Sequence, residues 1–175
     1  LSDGPVSYDG KHFQLDDARL LPRPSRPGGP PILVGGNGPK KTLPLVAKYA
    51  DEWNAVYLNK DTLKERNALL DDYAKDNGRD PKDIRRSMMT GTIFGKDDGD
   101  FQKTLASRNE SSENTIDEAF LSERGLVYGT PSMFVDQLGA LAEAGLDRIM
   151  LQWIDQDDID GLEILARDVL PHFHK

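Results

Sequence analysis

The sequence alternates four times between a short apolar run and a longer segment with apolar residues at helical spacing. The apolar runs are 32–34, 53–58, 88–94 and 149–151, and the helical segments are 40–50, 61–77, 131–144 and 159–170. Helices of this length serve as crossovers between strands that run in the same direction. The alternation therefore predicts an α/β fold with a parallel sheet.

Composition and charge exclude several classes of function. Of the 175 residues, 37% are hydrophobic and 30% are charged, which is enough to form a packed core. The chain has 22 Lys and Arg against 30 Asp and Glu, a net charge of −8, so we expect no nucleic acid and no membrane as a partner. There is no cysteine, which excludes disulfides, thiol nucleophiles and Cys-ligated metals. No apolar run reaches the length of a membrane span and no signal segment opens the chain, so we expect a cytoplasmic protein.

We expect one domain over residues 1–175, with two irregular regions. Proline and glycine are frequent in residues 1–31, which predicts an extended lead-in with at most a short hairpin between Tyr8 and Leu15. Residues 95–125 are polar and weakly periodic. They predict an insertion that is partly helical between Ile116 and Arg124.

The turn after the first apolar run is the motif with the clearest chemical interpretation. This glycine turn consists of Gly35, Gly36, Asn37 and Gly38 and lies between a predicted strand and a predicted helix. Glycines allow backbone N–H groups to approach an anion, and a helix N-terminus adds partial positive charge, to which Lys40 would contribute. A tight strand-to-helix turn also requires glycines, and the pattern matches neither the P-loop nor the dinucleotide fingerprint. From the residues alone, both interpretations of the glycine turn remain open: an anion-binding site and a purely structural turn.

Two segments of the sequence carry a resemblance to a known family. The first covers residues 30–38 and 42–54, PPILVGGNG and TLPLVAKYADEWN, and the second covers residues 129–138 and 144–151, GTPSMFVDQL and AGLDRIML. Together they resemble the luciferase-like monooxygenase superfamily, and within it the oxidoreductases that use coenzyme F420. The resemblance implies the C-terminal half of a (β/α)₈ TIM barrel, with four βα units and the polar insertion. It also implies a flavin or deazaflavin at the C-terminal ends of the strands.

The resemblance also implies a set of cofactor-binding residues. The three glycines of the glycine turn correspond to the family's loop against the cofactor phosphate, and Asn54 falls where the family lines its cofactor cavity. TIM barrels in general place phosphate sites after the last strands, which here favours the helix start at Gly129 and Thr130 or the loop after Trp153. We rank the glycine turn first, with Asn37 and Lys40, and the start at Gly129 and Thr130 second.

The implied function is hydride transfer between coenzyme F420 and a small organic substrate. An FMN-dependent monooxygenase is one alternative, and a cofactor-free binding or structural protein is another. The resemblance places the first half of the barrel outside these residues, so activity of the chain alone is in question. The strands at 32–34 and 149–154 are predicted to be apolar on both faces and to leave unpaired edges. We therefore expect the chain to pair with a missing N-terminal half or to form a homo-oligomer.

The remaining candidates favour structural roles. His172 and His174 form a His-x-His pair that suits a polar tail better than a metal site, and we expect no bound metal. His12 stands alone in a predicted loop. The aspartates in residues 155–160 lack the glycine and glutamate of a calcium loop, which favours helix capping. Both tryptophans lie on predicted strands and are expected to fill the core. No catalytic residue is predicted.

Overall fold

A computed structural model describes residues 4–110, 112 and 115–173 of the chain. They fall into two compact units, one ending at Ile32 and the other beginning at Leu33. The first unit contains an antiparallel hairpin of β1 (Val6–Asp9) and β2 (Gln14–Ala18). The hairpin lies in the part of the lead-in where the sequence indicated one.

The second unit carries the predicted alternation of strands and helices. Its strands are β3 (Leu33–Gly35), β4 (Glu52–Val56), β5 (Arg85–Phe94), β6 (Val127–Gly129) and β7 (Arg148–Gln152). Its helices are α1 (Thr42–Tyr49), α2 (Lys60–Asp76), α3 (Asp98–Glu110), α4 (Glu118–Glu123), α5 (Pro131–Glu143) and α6 (Ile159–Asp168). The strand order is β3-β4-β5-β6, β7 also pairs with β5, and every pairing in this sheet is parallel. The parallel α/β prediction is confirmed.

Local signals set the ends of these helices. Asn59 caps α2 by accepting a hydrogen bond from the Thr62 backbone N–H at 2.9 Å. Asp158 caps α6 in the same way through the N–H of Gly161. At the C-terminus of α1, the Arg79 guanidinium donates to the carbonyls of Ala47 and Ala50 at 3.0 and 2.9 Å. Arg79 therefore satisfies carbonyls that the end of a helix leaves unpaired.

The core lies between the sheet and its covering helices. The sheet contributes buried side chains from alternate positions, among them Trp53, Ala55 and Met88. The helices contribute one buried stripe each, which includes Leu43, Val46, Leu63, Leu70, Phe134, Leu138, Leu141 and Leu165. Among the residues that the structure describes, no helix is long and apolar enough to cross a membrane.

The polar insertion is more structured than its sequence indicates. The predicted helical part is present as α4, but α3 and the short strand β6 were not predicted. A second apolar cluster of Ile93, Phe101, Leu105 and Leu121 packs this region onto β5. Helix α3 buries only Phe101 and Leu105, one turn apart, and this weak stripe is the reason that its periodicity is hard to recognise.

The structure corrects the prediction that both outer strands are apolar on both faces, because β7 is not. In β3, Leu33 is an apolar side chain that is 50% exposed. In β7, Ile149 and Leu151 pack on the core, whereas Arg148 and Gln152 alternate with them. Because successive side chains of a strand point to opposite faces, the second face of β7 is mixed in polarity. The apolar run in the sequence concealed this alternation, since Met150 lies between the two polar residues.

Candidate active site at the carboxyl ends of the strands

The glycine turn leaves β3 at the carboxyl edge of the sheet and is tied to β4. The Asn37 side chain donates to the Val56 carbonyl at 2.6 Å and accepts from the Val56 N–H at 2.9 Å. The Trp53 indole N–H donates to the Gly36 carbonyl at 2.8 Å. These bonds fix the turn against its neighbouring strand. They also occupy the amide of Asn37, which the sequence had assigned to the cofactor.

Two glycines of the turn have structural reasons to be glycine. Gly36 has a φ of +118°, which side-chain-bearing residues rarely adopt. A Cβ at Gly38 would lie 2.9 Å from the Thr42 hydroxyl oxygen. The Gly38 carbonyl also accepts from the Thr42 and Leu43 N–H groups at the start of α1. Part of the backbone of the predicted anion site is thus engaged in hydrogen bonds within the turn and the start of α1.

Gly35 differs from the other two glycines. It lies in β3 with ordinary backbone geometry, and a Cβ built on it would meet nothing closer than the Asn54 carbonyl at 3.9 Å. Packing therefore does not require glycine at this position. The space above Gly35 is open to the close approach of a ligand. Lys40 is exposed near the same turn.

The face of the sheet opposite the helices carries a row of polar side chains, which we call the polar face: Glu52, Asn54, Ser87, Arg148 and Gln152. Asn54 is buried and donates to the Ser87 hydroxyl at 3.0 Å, and Ser87 donates to the Trp53 carbonyl. Parallel register places Gly35, Asn54, Ser87 and Arg148 side by side on four strands. Asn54 therefore lies beside Gly35, and its side-chain amide donates one hydrogen bond to Ser87.

A carboxylate anchors the amino end of this face. One oxygen of Glu52 lies 3.4 Å from an Arg148 nitrogen and 3.9 Å from an Arg85 nitrogen. The other oxygen, Oε1, is buried and has no hydrogen-bond partner among the described residues. Glu52 is 8% exposed, so it is a nearly buried carboxylate between two half-exposed arginines.

Tyr57 lies beside Gln152 at the carboxyl end of the polar face, and sequence reasoning missed both residues. The Tyr57 hydroxyl donates to Gln152 Oε1 at 2.5 Å, and Gln152 Nε2 lies 3.4 Å from the Met89 sulfur. Tyr57 has a φ of +52° although it is not glycine. No local sequence signal indicates either feature, because the two residues are 95 positions apart.

The second predicted phosphate loop, at Gly129 and Thr130, is placed at the start of α5. Gly129 has a φ of +102°, and its carbonyl accepts from the Gly95 N–H at 3.0 Å. Thr130 precedes α5 without a capping hydrogen bond from its side chain and lies 3.1 Å from the Ser132 hydroxyl. In the strand order, β4 and β5 separate this loop from the glycine turn. The two predicted loops therefore do not adjoin along the sheet.

The remaining candidates from the sequence are the aspartates of residues 155–160, the histidines and the tryptophans. Lys96 lies 3.9 Å from Asp158 and 3.5 Å from Asp160, and Asp158 caps α6, so capping and ion pairing account for these aspartates. His12 and His172 are exposed, and His174 lies outside the described residues. Trp53 is fully buried in the core. Within residues 4–110, 112 and 115–173, no three metal-ligating side chains form a group.

Comparison with protein families gives one broad match. A sequence model of the family described as luciferase-like monooxygenase matches residues 1–148. A phthiodiolone/phenolphthiodiolone dimycocerosates ketoreductase of Mycobacterium kansasii is 34% identical over 104 residues, which is 58% of this chain and 28% of that protein. The chain thus spans under a third of the length of this relative.

Comparison with solved structures identifies the same fold. An F420-dependent secondary alcohol dehydrogenase in complex with an F420-acetone adduct superposes with a TM-score of 0.79 at 20% identity, over 99% of this chain and 57% of that one. The oxygenating constituent of 3,6-diketocamphane monooxygenase from Pseudomonas putida, in complex with FMN, superposes with a TM-score of 0.64 at 16% identity, over 96% and 58%. The fold is accordingly that of a half-barrel, and the chain covers little more than half of each structure.

Proposed function

The chain belongs to the luciferase-like monooxygenase family, and from that premise we propose that it forms part of an oxidoreductase that transfers a hydride between coenzyme F420 and an organic substrate. The observation that carries the proposal is the open space around Gly35. Its neighbours Gly36 and Gly38 are explained by the turn, whereas the open space above Gly35 has no structural explanation. A glycine in a strand whose backbone a ligand approaches closely has this geometry.

The residues beside Gly35 suit a polar planar cofactor that lies across the carboxyl edge. The polar face offers side chains on several adjacent strands, and Lys40 adds a positive charge next to the turn. We propose that the Gly35 backbone and Asn54 line the cofactor cavity and that Lys40 lies near the cofactor phosphate. When bound, F420 would supply or accept the hydride.

The names of two similar proteins support a substrate class. One is an alcohol dehydrogenase with an acetone adduct and the other is a ketoreductase, so both act at an alcohol or ketone carbon. We propose a secondary alcohol and its ketone as the substrate pair. Oxidation removes a hydride from the carbinol carbon and releases the hydroxyl proton to solvent, and reduction reverses both steps.

An FMN-dependent monooxygenase is the second candidate, because one structural neighbour is a monooxygenase in complex with FMN. The two candidates share the site and differ in the cofactor. FMN retained through purification would favour the monooxygenase. Titration with oxidised F420, followed by fluorescence, would favour the deazaflavin enzyme if binding saturates.

The decisive experiment uses Gly35→Val in the 175-residue chain. Valine suits a strand and its Cβ has room at this position, so the thermal midpoint is expected to stay close to that of the unmodified protein. Affinity for F420 is expected to fall at least about tenfold, because the side chain fills the space next to the backbone. Gly139→Val is the matched control, since Gly139 in α5 also has open space around it.

Two outcomes would overturn the proposal. Unchanged F420 affinity in a folded Gly35→Val variant would remove Gly35 from the site. Failure of the unmodified protein to bind either F420 or FMN would favour the cofactor-free binding protein.

We further propose that the chain associates through the open edges of its sheet. Strands β3 and β7 each pair with one strand only within the described residues. Beside β7, a largely apolar cavity of about 510 Å³ is lined by Leu138, Leu146, Ile149, Leu151, Leu170 and Phe173, and also by Asp147 and Arg148. A second copy of the chain or a separate barrel half would cover both features.

A further inference from the structure

The backbone of Tyr57 is held in a conformation that its residue type disfavours. Its φ of +52° lies in the left-handed region, where the Cβ of a bulky residue crowds the backbone. Glycine or asparagine would occupy this position with less strain. The Tyr57 N–H nevertheless donates to the Met89 carbonyl at 3.0 Å, so the strained residue continues the pairing of β4 with β5.

This conformation places the phenol across the central strand. The hydroxyl reaches Gln152 on β7, while Tyr57 itself follows β4, and both strands flank β5. The ring crosses β5 at Gly91, where an added Cβ would lie 3.1 Å from the Tyr57 hydroxyl oxygen. Three strands therefore contribute to one arrangement: a strained tyrosine, a glycine beneath its hydroxyl and a glutamine that accepts the hydrogen bond of that hydroxyl.

The arrangement is open to the side on which a ligand would lie. Tyr57 is 38% exposed, and it stands at the carboxyl end of the polar face that begins at Glu52. The hydroxyl proton is committed to Gln152, so the phenol oxygen keeps lone pairs that accept a hydrogen bond. A strained backbone that holds a polar atom at an exposed position is a feature of functional sites.

We propose that Tyr57, positioned by Gln152, contacts the bound ligand and accepts a hydrogen bond from one of its N–H or O–H groups. The inference rests on the proposed function, because it assigns a further residue to the same cofactor site. Neither the glycine turn nor the family resemblance indicated this role for Tyr57. Gly91 belongs to this arrangement as the position that leaves room for the hydroxyl.

The experiment separates a ligand contact from a structural bond. Tyr57→Phe removes only the hydroxyl, and Tyr57→Asn removes the ring while suiting the left-handed backbone. Each variant is compared with the unmodified protein for thermal midpoint without ligand and for affinity toward F420 and FMN by fluorescence titration. Tyr49→Phe is the matched control, since Tyr49 is an exposed tyrosine on α1.

We expect Tyr57→Asn to melt at or above the temperature of the unmodified protein and to bind the cofactor at least about tenfold more weakly. Tyr57→Phe is expected to lose about three- to tenfold in affinity, the size of one neutral hydrogen bond. Tyr49→Phe is expected to change neither quantity. Greater stability with weaker binding is a combination that a purely structural bond does not produce.

Two results would overturn the inference alone: unchanged affinity in both Tyr57 variants, or a lower thermal midpoint of Tyr57→Asn with affinity retained. Absence of binding in the unmodified protein would overturn the proposed function, and this inference with it. The affinity of the unmodified protein therefore distinguishes the two failures.

Discussion

Arg86 of β5 and Asp71 of α2 form an ion pair in which the guanidinium nitrogen lies 2.5 Å from the carboxylate oxygen. The Arg86 side chain is 8% exposed and the Asp71 side chain 42% exposed. Arg86 also donates to the carbonyls of Pro81 and Ile84. Burial lowers the pKa of Arg86, and the nearby carboxylates of Asp71 and Asp147 oppose this effect. The pair joins a helix to the central strand and compensates a buried charge.

Asp71→Asn is expected to destabilise the chain by about 1–3 kcal/mol, because it leaves the Arg86 charge without its nearest carboxylate. The free energy of unfolding from urea denaturation is the measurement. Asp72→Asn is the matched control on the same helix, since the Asp72 pair with Lys75 is exposed on both sides. A loss of similar size in both variants would contradict the importance of the buried pair.

The two adjacent glycines of the turn are expected to respond in opposite directions. Gly36→Ala is expected to cost about 1–3 kcal/mol, because alanine is strained at a φ of +118°. Gly35→Ala is expected to gain about 0.4–1 kcal/mol, because alanine fits there and reduces the conformational freedom of the unfolded chain. Urea denaturation of the two single variants checks the difference. Equal effects would mean that the turn does not constrain Gly36.

Tyr128 is expected to make stability depend on pH in the alkaline range. Burial raises the pKa of Tyr128, the Glu118 carboxylate raises it further, and a hydrogen bond with Ser122 lowers it. The folded pKa is thus above the ordinary value of 10.0, so the unfolded state loses the phenol proton first as pH rises. The free energy of unfolding is therefore expected to fall as pH rises through 10.0 toward the folded pKa.

Tyr128→Phe is expected to make this alkaline decline shallower. Urea denaturation from about pH 8 to about pH 11 measures the slope in both proteins. Tyr8→Phe, at an exposed position in the first unit, is the control. If the two variants show the same slope as the unmodified chain, Tyr128 does not contribute to the pH dependence.

The open sheet is expected to make the isolated 175-residue chain associate. Light scattering should give a mass of at least two chains, because β3 and β7 present edges and exposed apolar side chains. Leu33→Lys places a charge on the edge strand and should shift the mass toward the monomer. Leu45→Lys changes an equally exposed leucine on α1 and should leave the mass unchanged. A monodisperse, folded monomer of the unmodified chain would contradict the expectation.

The sequence by itself determined the main elements of the half-barrel. Apolar spacing, the capping predicted for the aspartates in residues 155–160 and the glycine turn are local signals, because each depends on residues within one or two helical turns. The family resemblance, rather than local pattern, predicted Gly35 and Asn54 as cofactor-site residues. Local pattern failed at α3 and β6, where too few apolar side chains are buried for it to be visible.

Only the tertiary structure decided what the candidate site contains. Parallel register brings Gln152 beside Gly91 and lets Tyr57 reach it from 95 positions away. The fold also commits the Asn37 amide to Val56 and leaves Gly35 open, although both belong to one motif. The physical reason is that a crossover helix separates neighbouring strands in sequence, while hydrogen bonds between strands set which side chains meet. Local pattern carries no information about that pairing.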